Sequence, residues 1–132
     1  SRDYLIAGVI LHDLGKIEEF TSPVVTEYSV QGKLLGHISI GSNMLYSVCE
    51  QLGYENTEEA LMLEHIILSH HGKNEYGSPV VPTIPEAQVI FLLDYSDSRM
   101  ASLMKACKDV GKGEKTEPVF AFDKKVFYMP KL

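Results

Sequence analysis

Apolar residues recur at the three- and four-residue spacing of an amphipathic helix in four segments of this chain. In the first segment the spacing is carried by Leu5, Ile6, Val9, Ile10 and Leu14. Glycine favours the left-handed conformation that ends helices, and it follows three of the segments, at Gly15, Gly53 and Gly72. We therefore predict helices that begin at Asp3, about His37, Thr57 and Pro85 and end near Gly15, Leu52, His71 and Asp109.

The stretches outside these helices contain two predicted hairpins. One lies in an irregular loop from Glu18 to Gly36, where Val24 to Val30 alternates toward a Gln31-Gly32 turn. The other pairs Val119–Phe122 with Val126–Tyr128 near the C-terminus. The predicted fold class is all-α: one helical-bundle domain over residues 1–132, with these two short hairpins as its only β-structure.

Composition limits the class of protein. The chain has 132 residues, of which 45% are hydrophobic and 23% charged, with a net charge of −6, which is typical of one globular domain. No apolar run approaches the roughly 20 residues of a membrane helix. Cys49 and Cys107 lie far apart and form no CxxC pair. We expect a cytoplasmic protein with no membrane partner.

Four histidines lie at predicted helix ends, where side chains from several elements can converge on one cavity. They are His12, His37, His70 and His71. Asp13 follows His12 directly, and Asp94 is flanked by apolar residues, a setting in which an unpaired carboxylate is costly to bury. Imidazole and carboxylate together suit divalent Mn, Fe, Co, Ni and Zn ions. The sequence therefore predicts a divalent metal site.

Several motifs occur in an order shared with a known family. They are His12-Asp13-Leu14-Gly15-Lys16, Gly36-His37-Ile38, Ser69-His70-His71-Gly72, Asp94 to Asp97, and a terminal run from Glu114 to Pro130. The His-Asp doublet resembles the signature of the HD superfamily of metal-dependent phosphohydrolases. The full order is similar to the HD domain of bacterial YhaM-type 3′-to-5′ exoribonucleases, and the resemblance covers nearly the whole chain.

This resemblance implies a helical HD fold around a pair of divalent metal ions. Asp13 matches the residue that bridges the two ions, while His12 and Asp94 match positions at the first ion. The histidines that match ligands of the second ion are His37, His70 and His71. Mn²⁺ is the favoured ion, with Fe, Co, Ni, Zn and Mg as alternatives.

The resemblance also implies a two-metal hydrolysis of phosphodiester bonds with water as the nucleophile. Asp13 and Lys16 are the expected catalytic residues, and Lys16 is expected to contact a metal-bound water or a substrate phosphate. The expected substrate is single-stranded RNA, with DNA as an alternative. In this family a histidine-bearing helix and an OB-fold domain precede the doublet. We therefore expect a fragment whose first metal site lacks one ligand and whose activity alone is in question.

Several residues keep two interpretations. His65 is either a core residue or a support for a metal ligand, and Asp97 is either such a support or a surface carboxylate. His70 and His71 are adjacent, so both reach one site only if their helix ends there. In the loop over residues 72–85, a substrate-binding rim and a rigid connector are both open for Lys73, Tyr76 and Ser78.

Two other functions also stay open. An HD phosphohydrolase of small nucleotides or cyclic dinucleotides would have a closed pocket and need no strand-binding domain. A non-catalytic HD module for docking or regulation would keep its function after replacement of Asp13 or Asp94. The sequence leaves a homo-oligomeric state open.

Overall fold

The computed structural model describes all residues, 1–132, and is built mainly of helices. Its α-helices are α1 (Arg2–Leu11), the single-turn α2 (Lys16–Glu19), α3 (Val30–Leu52), α4 (Glu58–Ser69) and α5 (Pro85–Cys107). Short 3₁₀ turns occupy Asn74–Tyr76 and Phe120–Phe122. The chain divides into two compact units, Ser1–Leu92 and Leu93–Leu132. None of the helices is long and apolar enough to cross a membrane.

Local capping explains where the main helices begin and end. The Thr57 side chain accepts a hydrogen bond from the Ala60 N–H at 3.2 Å, which fixes the start of α4 as the sequence predicts. Gly53 ends α3 in the left-handed conformation, with φ of 74°. The prediction of a mostly helical fold is therefore confirmed. Asp3 lies inside α1 and does not cap it, because the helix begins one residue earlier, after Ser1.

The hairpin predicted between Glu18 and Gly36 is not confirmed. The only pairing in this loop is one isolated bridge between Phe20 and Tyr28. Helix α3 begins at Val30 instead, because the Ser29 side chain accepts a hydrogen bond from the Gly32 N–H and caps it. At Gly36, φ of 71° and ψ of 155° break the helix, so a new helical run begins at His37.

The core of the first unit joins α4 to the start of α5. Ile66, Ala87 and Ile90 are almost completely buried and contact one another, with partly buried Leu5, Leu63 and Ile84 packed around them. Helix α1 packs against α4, and α3 packs against both α2 and α4. This packing brings the end of α1, the break in α3 and the end of α4 toward one another.

The second unit contains the rest of α5 and an irregular C-terminal segment. The terminal hairpin is not confirmed as a pair of strands, since Phe120–Phe122 forms a 3₁₀ turn. Isolated bridges join Lys115 to Tyr128 and Val119 to Lys125. The turn between Val119 and Lys125 contains Asp123 and Lys124, both of which have a positive φ. The Arg99 guanidinium lies over the Phe122 ring, 4.4 Å from its centroid.

Candidate metal centre

The His12-Asp13 doublet lies in the turn that joins α1 to α2. The His12 N–H still donates to the Gly8 carbonyl at 2.8 Å, so the doublet continues directly from the last turn of α1. Gly15 in the same turn approaches the α3 backbone so closely that an added Cβ would overlap the His37 carbonyl oxygen. The absence of a side chain at Gly15 therefore allows the doublet to lie beside His37.

The ends of α3 and α4 supply three further histidines. His37 is the first residue after the break at Gly36. Helix α4 ends at Ser69 with His70 as its C-cap, and Gly72 turns the chain away at φ of 79°. Because the helix stops there, the side chains of both His70 and His71 reach the side chain of His37. One nitrogen of each of these three histidines lies within 4.8 Å of the others.

Asp13 Oδ1 faces two of these nitrogens. It lies 3.6 Å from His37 Nε2 and 3.6 Å from His70 Nε2. All three atoms are buried and have no hydrogen-bond partner. Buried polar atoms without partners are costly, and two ligands about 2.1 Å from one ion lie about 3 to 4 Å apart. The donor set and its spacing therefore fit a divalent metal ion.

The hydrogen bonds of the imidazole rings leave their Nε2 lone pairs available for such an ion. Nδ1 of His12 donates to the Val9 carbonyl at 2.8 Å, and Nδ1 of His70 donates to the Ile67 carbonyl at 2.7 Å. Nδ1 of His71 donates to the Tyr76 carbonyl at 2.8 Å. A carbonyl can only accept, so Nδ1 carries the proton in each neutral ring and Nε2 keeps a lone pair. This is the usual arrangement of metal-binding histidines.

Glu19 is a functional residue that the sequence did not indicate. It lies at the end of α2, is 6% exposed, and accepts hydrogen bonds through Oε1 from the His37 backbone N–H at 2.9 Å and Nδ1 at 3.2 Å. It thus fixes both the break in α3 and the orientation of the His37 ring. The only signal in the sequence is a pair of carboxylates, Glu18 and Glu19, that follow the HDxGK motif. It does not show that buried Glu19, rather than exposed Glu18, contacts His37.

We expect Glu19→Gln to weaken Mn²⁺ binding about 10- to 100-fold, because carboxylates that orient metal-binding histidines have effects of this size. The amide keeps the shape of the side chain but holds the imidazole less strongly. Isothermal titration of the metal-free protein with Mn²⁺ measures the change, and Glu18→Gln is the matched control, since Glu18 is exposed. Equal affinities for the two variants would show that Glu19 does not support the site.

The second oxygen of Asp13 faces other groups. Oδ2 lies 2.7 Å from Lys16 Nζ and 3.4 Å from His12 Nε2. Burial raises the pKa of Asp13, but the hydrogen bond and positive charge of Lys16 outweigh it, so the pKa lies below its usual value. Asp13 is therefore ionised at neutral pH. Its Oδ1 faces the imidazoles of His37 and His70, and its Oδ2 faces the imidazole of His12.

His70 is fully buried, and this burial lowers its pKa to about 4. In the unfolded chain the His70 ring has its ordinary pKa of about 6.5, so between about pH 6.5 and 4 the unfolded chain binds more protons at this residue than the folded chain does. We therefore expect the metal-free protein to lose stability as pH falls through this window, by up to about 3 kcal/mol from this residue. Urea unfolding at pH 7 and pH 4.5 measures the loss. His70→Asn removes the titrating ring, and an undiminished loss in that variant would refute the assignment.

The other predicted residues fall into four groups. Asp94 is partly buried and Asp97 exposed on α5, both in the second unit. His65 Nε2 accepts a hydrogen bond from the Thr83 N–H at 3.0 Å, so His65 anchors the loop before α5. Ser78 is 2% exposed, and its hydroxyl accepts a hydrogen bond from the His71 backbone N–H at 3.1 Å. Ser78 therefore holds the backbone of His71. Lys73 and Tyr76 are exposed at the rim.

Comparison with known families agrees with this geometry. The family model described as HD domain matches residues 1–99, three quarters of the chain. The chain belongs to the HD domain family. The doublet, the break in α3 and the end of α4 all lie within the matched part of this HD domain. Comparison with solved structures gives no match.

Several curated relatives of this HD domain have the same name. The chain is 50% identical over 129 residues to the 3′-5′ exoribonuclease YhaM of Bacillus subtilis, covering 98% of this chain and 41% of that protein. Proteins of the same name from Bacillus pumilus and Shouchella clausii are each 46% identical over 129 residues and 98% of this chain, which spans 41% and 40% of their lengths. The predicted resemblance is confirmed. The chain spans about two fifths of the length of the relatives it matches.

Proposed function

We propose that this HD domain is a metal-dependent hydrolase of phosphodiester bonds that removes nucleotides from the 3′ end of single-stranded RNA. The observation that carries the proposal is the convergence of three buried atoms without hydrogen-bond partners, Asp13 Oδ1, His37 Nε2 and His70 Nε2. Such a set of lone pairs attracts a cation. The RNA substrate and the direction of digestion follow the names of the relatives, which are 3′-5′ exoribonucleases.

The two oxygens of Asp13 support a centre of two ions, for which Mn²⁺ is our proposed species. Oδ1, with His37, His70 and His71, would hold one ion, and Oδ2, with His12, would hold the other. We propose Asp94 as a further ligand on the His12 side, from the sequence resemblance. Bound divalent ions would supply an acidified water for the attack on phosphorus and neutralise charge on the phosphoryl oxygens.

Lys16 supplies a positive charge beside this centre. Its ammonium lies 2.7 Å from Asp13 Oδ2, and its side chain is 44% exposed. A cation at Oδ2 would repel the ammonium, and a flexible exposed lysine can turn toward solvent at little cost. We propose that Lys16 then binds the substrate phosphate and stabilises the charge that grows on it during hydrolysis.

The chain as a whole carries a charge of −6, which opposes the approach of a polyanion. Attraction of RNA must therefore be local, from Lys16, from Lys73 at the rim and from the bound ions. Ser78 contributes indirectly, because its hydroxyl fixes the backbone of His71. From the sequence alone, we also propose that the enzyme is cytoplasmic.

A digestion assay tests the proposal. The protein, extended upstream to include the histidine-bearing helix that the family resemblance implies, is loaded with Mn²⁺, whose binding is measured, and incubated with 5′-labelled single-stranded RNA. We expect a ladder of products shortened from the 3′ end, and no ladder with Asp13→Asn. Intact RNA in the presence of protein with bound Mn²⁺ would contradict the proposal.

The same assay separates the alternative functions. A panel of nucleoside phosphates and cyclic dinucleotides is incubated in parallel under identical conditions. Hydrolysis of these molecules without digestion of RNA would replace the exoribonuclease with a small-nucleotide phosphohydrolase. Bound Mn²⁺ without hydrolysis of any substrate would favour a docking or regulatory module.

A further inference from the structure

The loop that follows His71 folds back onto His71. Two groups of this loop contact it: the Tyr76 carbonyl accepts a hydrogen bond from Nδ1 at 2.8 Å, and the Ser78 hydroxyl accepts one from the backbone N–H at 3.1 Å. One nitrogen of His71 also lies within 4.8 Å of a nitrogen of His37 and of His70. The loop therefore holds both the ring and the main chain of a candidate metal ligand.

His71 depends on this loop more than His12 and His70 depend on theirs. Nδ1 of His12 donates to the Val9 carbonyl and Nδ1 of His70 donates to the Ile67 carbonyl, each three residues earlier in the helix that leads to the histidine. Those two acceptors are fixed by regular helix. The acceptor for His71 lies five residues later, in the loop. Whatever fixes the loop therefore also orients the His71 ring.

The Asn74 side chain closes this loop. Its Nδ2 donates to the Ser78 carbonyl at 3.0 Å and to the Pro79 carbonyl at 3.3 Å. A carboxamide N–H₂ has two hydrogens, so one side chain can make both bonds. The backbone N–H groups of Tyr76 and Ser78 also donate to the Lys73 carbonyl, at 3.0 Å and 3.3 Å. The Asn74 amide thus ties the first residue of the 3₁₀ turn to the chain beyond the turn.

Ser78 joins the closure of the loop to the metal centre. Its carbonyl accepts from Asn74 and its hydroxyl accepts from His71, while its side chain is almost completely buried at 2% exposed. A continuous set of hydrogen bonds therefore runs from Asn74 through Ser78 to His71. Sites whose ligands are held by such supporting bonds are preorganised for the ion they bind. This role differs from both a substrate-binding rim and a rigid connector.

We propose that Asn74 is a positioning residue for the metal centre, because it keeps the His71 ring in the tautomer that carries its proton on Nδ1. This tautomer leaves the lone pair of Nε2 for an ion. The inference rests on the proposed function, since it takes His71 as a ligand of the bound ion. Without the Asn74 amide, the Tyr76 carbonyl is free to move away from Nδ1. The tautomer that carries its proton on Nε2, and has no lone pair there, then becomes populated.

The tautomer of His71 is measured in the metal-free chain by ¹⁵N nuclear magnetic resonance at about pH 8, above the ordinary pKa of histidine. The two ring nitrogens have well-separated chemical shifts when one tautomer prevails, and the shifts converge when two tautomers exchange. We expect separated shifts, with the proton on Nδ1, in the wild type and converging shifts in Asn74→Ala. Asn74→Asp keeps the size of the side chain but has no N–H to donate, so its shifts should converge as well.

The affinity for Mn²⁺ should fall together with the change of tautomer. Residues that support metal-binding histidines change metal affinity about 10- to 100-fold, and Asn74 acts through the loop, so we expect a loss of about 10-fold in Asn74→Ala. Isothermal titration measures this loss. Asn56→Ala is the matched control, because exposed Asn56 lies before α4 and its Nδ2 donates to Glu55 Oε1 at 3.3 Å. It should keep the wild-type tautomer and affinity, and both alanine variants should unfold near the wild-type urea concentration.

Two results would overturn the positioning role and leave the proposed function standing. One is a wild-type His71 tautomer in Asn74→Ala, and the other is wild-type Mn²⁺ affinity in a variant whose tautomer has changed. The proposed function fails separately. If the upstream-extended, Mn²⁺-loaded wild type leaves RNA intact, the exoribonuclease is contradicted, whereas a changed tautomer with weakened Mn²⁺ binding in Asn74→Ala still establishes the role of Asn74.

Discussion

Asp13→Asn will lower the affinity of the chain for Mn²⁺ by about 100-fold or more. Asp13 is the only residue whose side chain faces both His37 with His70 and His12 with Lys16. The substitution removes the negative charge that a divalent ion needs at this point, and even residues that only orient ligands have effects of 10- to 100-fold. Isothermal titration with Mn²⁺ measures the loss, and RNA digestion should disappear with it.

The same substitution should leave the fold intact. An amide N–H₂ in place of Asp13 Oδ1 can donate to His37 Nε2 or His70 Nε2, which otherwise have no hydrogen-bond partner. We therefore expect the metal-free variant to unfold at a urea concentration similar to that of wild type. Asp3→Asn, at an exposed carboxylate on α1, controls for the loss of one charge. Wild-type Mn²⁺ affinity in Asp13→Asn would remove Asp13 from the site.

Gly15→Ala should destabilise the protein by more than about 3 kcal/mol. A Cβ at this position would overlap the His37 carbonyl oxygen and lie 2.7 Å from the Gly41 backbone N. Both obstacles are backbone atoms of α3, so no side-chain rotation relieves the clash, and overpacking of this kind is strongly destabilising. The turn must move away from α3, which also separates Asp13 from His37. The urea midpoint and the Mn²⁺ affinity should therefore fall together.

Gly111→Ala is the control for Gly15→Ala. There the nearest atoms to an added Cβ belong to the flexible Glu114 side chain, which can move. We expect a change within about 0.5 kcal/mol, as for surface substitutions generally. If Gly15→Ala unfolds at the same urea concentration as Gly111→Ala, the turn that carries the doublet does not approach α3 as closely as described here.

Features encoded within a few residues could be predicted from the sequence. Thr57 caps α4 and Gly53 ends α3 as expected, because both act on backbone groups within one turn. The start of α5 at Pro85 follows for the same reason. The histidines at helix ends could be recognised because their positions depend on these same boundaries.

Features that depend on contacts distant in the sequence were missed. The hydrogen bonds of Glu19 join residues 18 positions apart, and no local pattern distinguishes Glu19 from exposed Glu18. The start of α3 at Val30, rather than near His37, was not predicted, because Gly36 interrupts the helical spacing just before His37. The apolar alternation before it resembles a strand, although Ser29 caps a helix there. The burial of Ser78 likewise follows from its contact with His71.

The most direct test of the metal centre is a crystal structure of the chain soaked in Mn²⁺, with an anomalous difference map recorded for the metal. We predict a peak about 2.2 Å from Asp13 Oδ1, His37 Nε2 and His70 Nε2, the three buried atoms that have no hydrogen-bond partner. A map with no peak at these atoms, in crystals that bind Mn²⁺ elsewhere, would contradict the account.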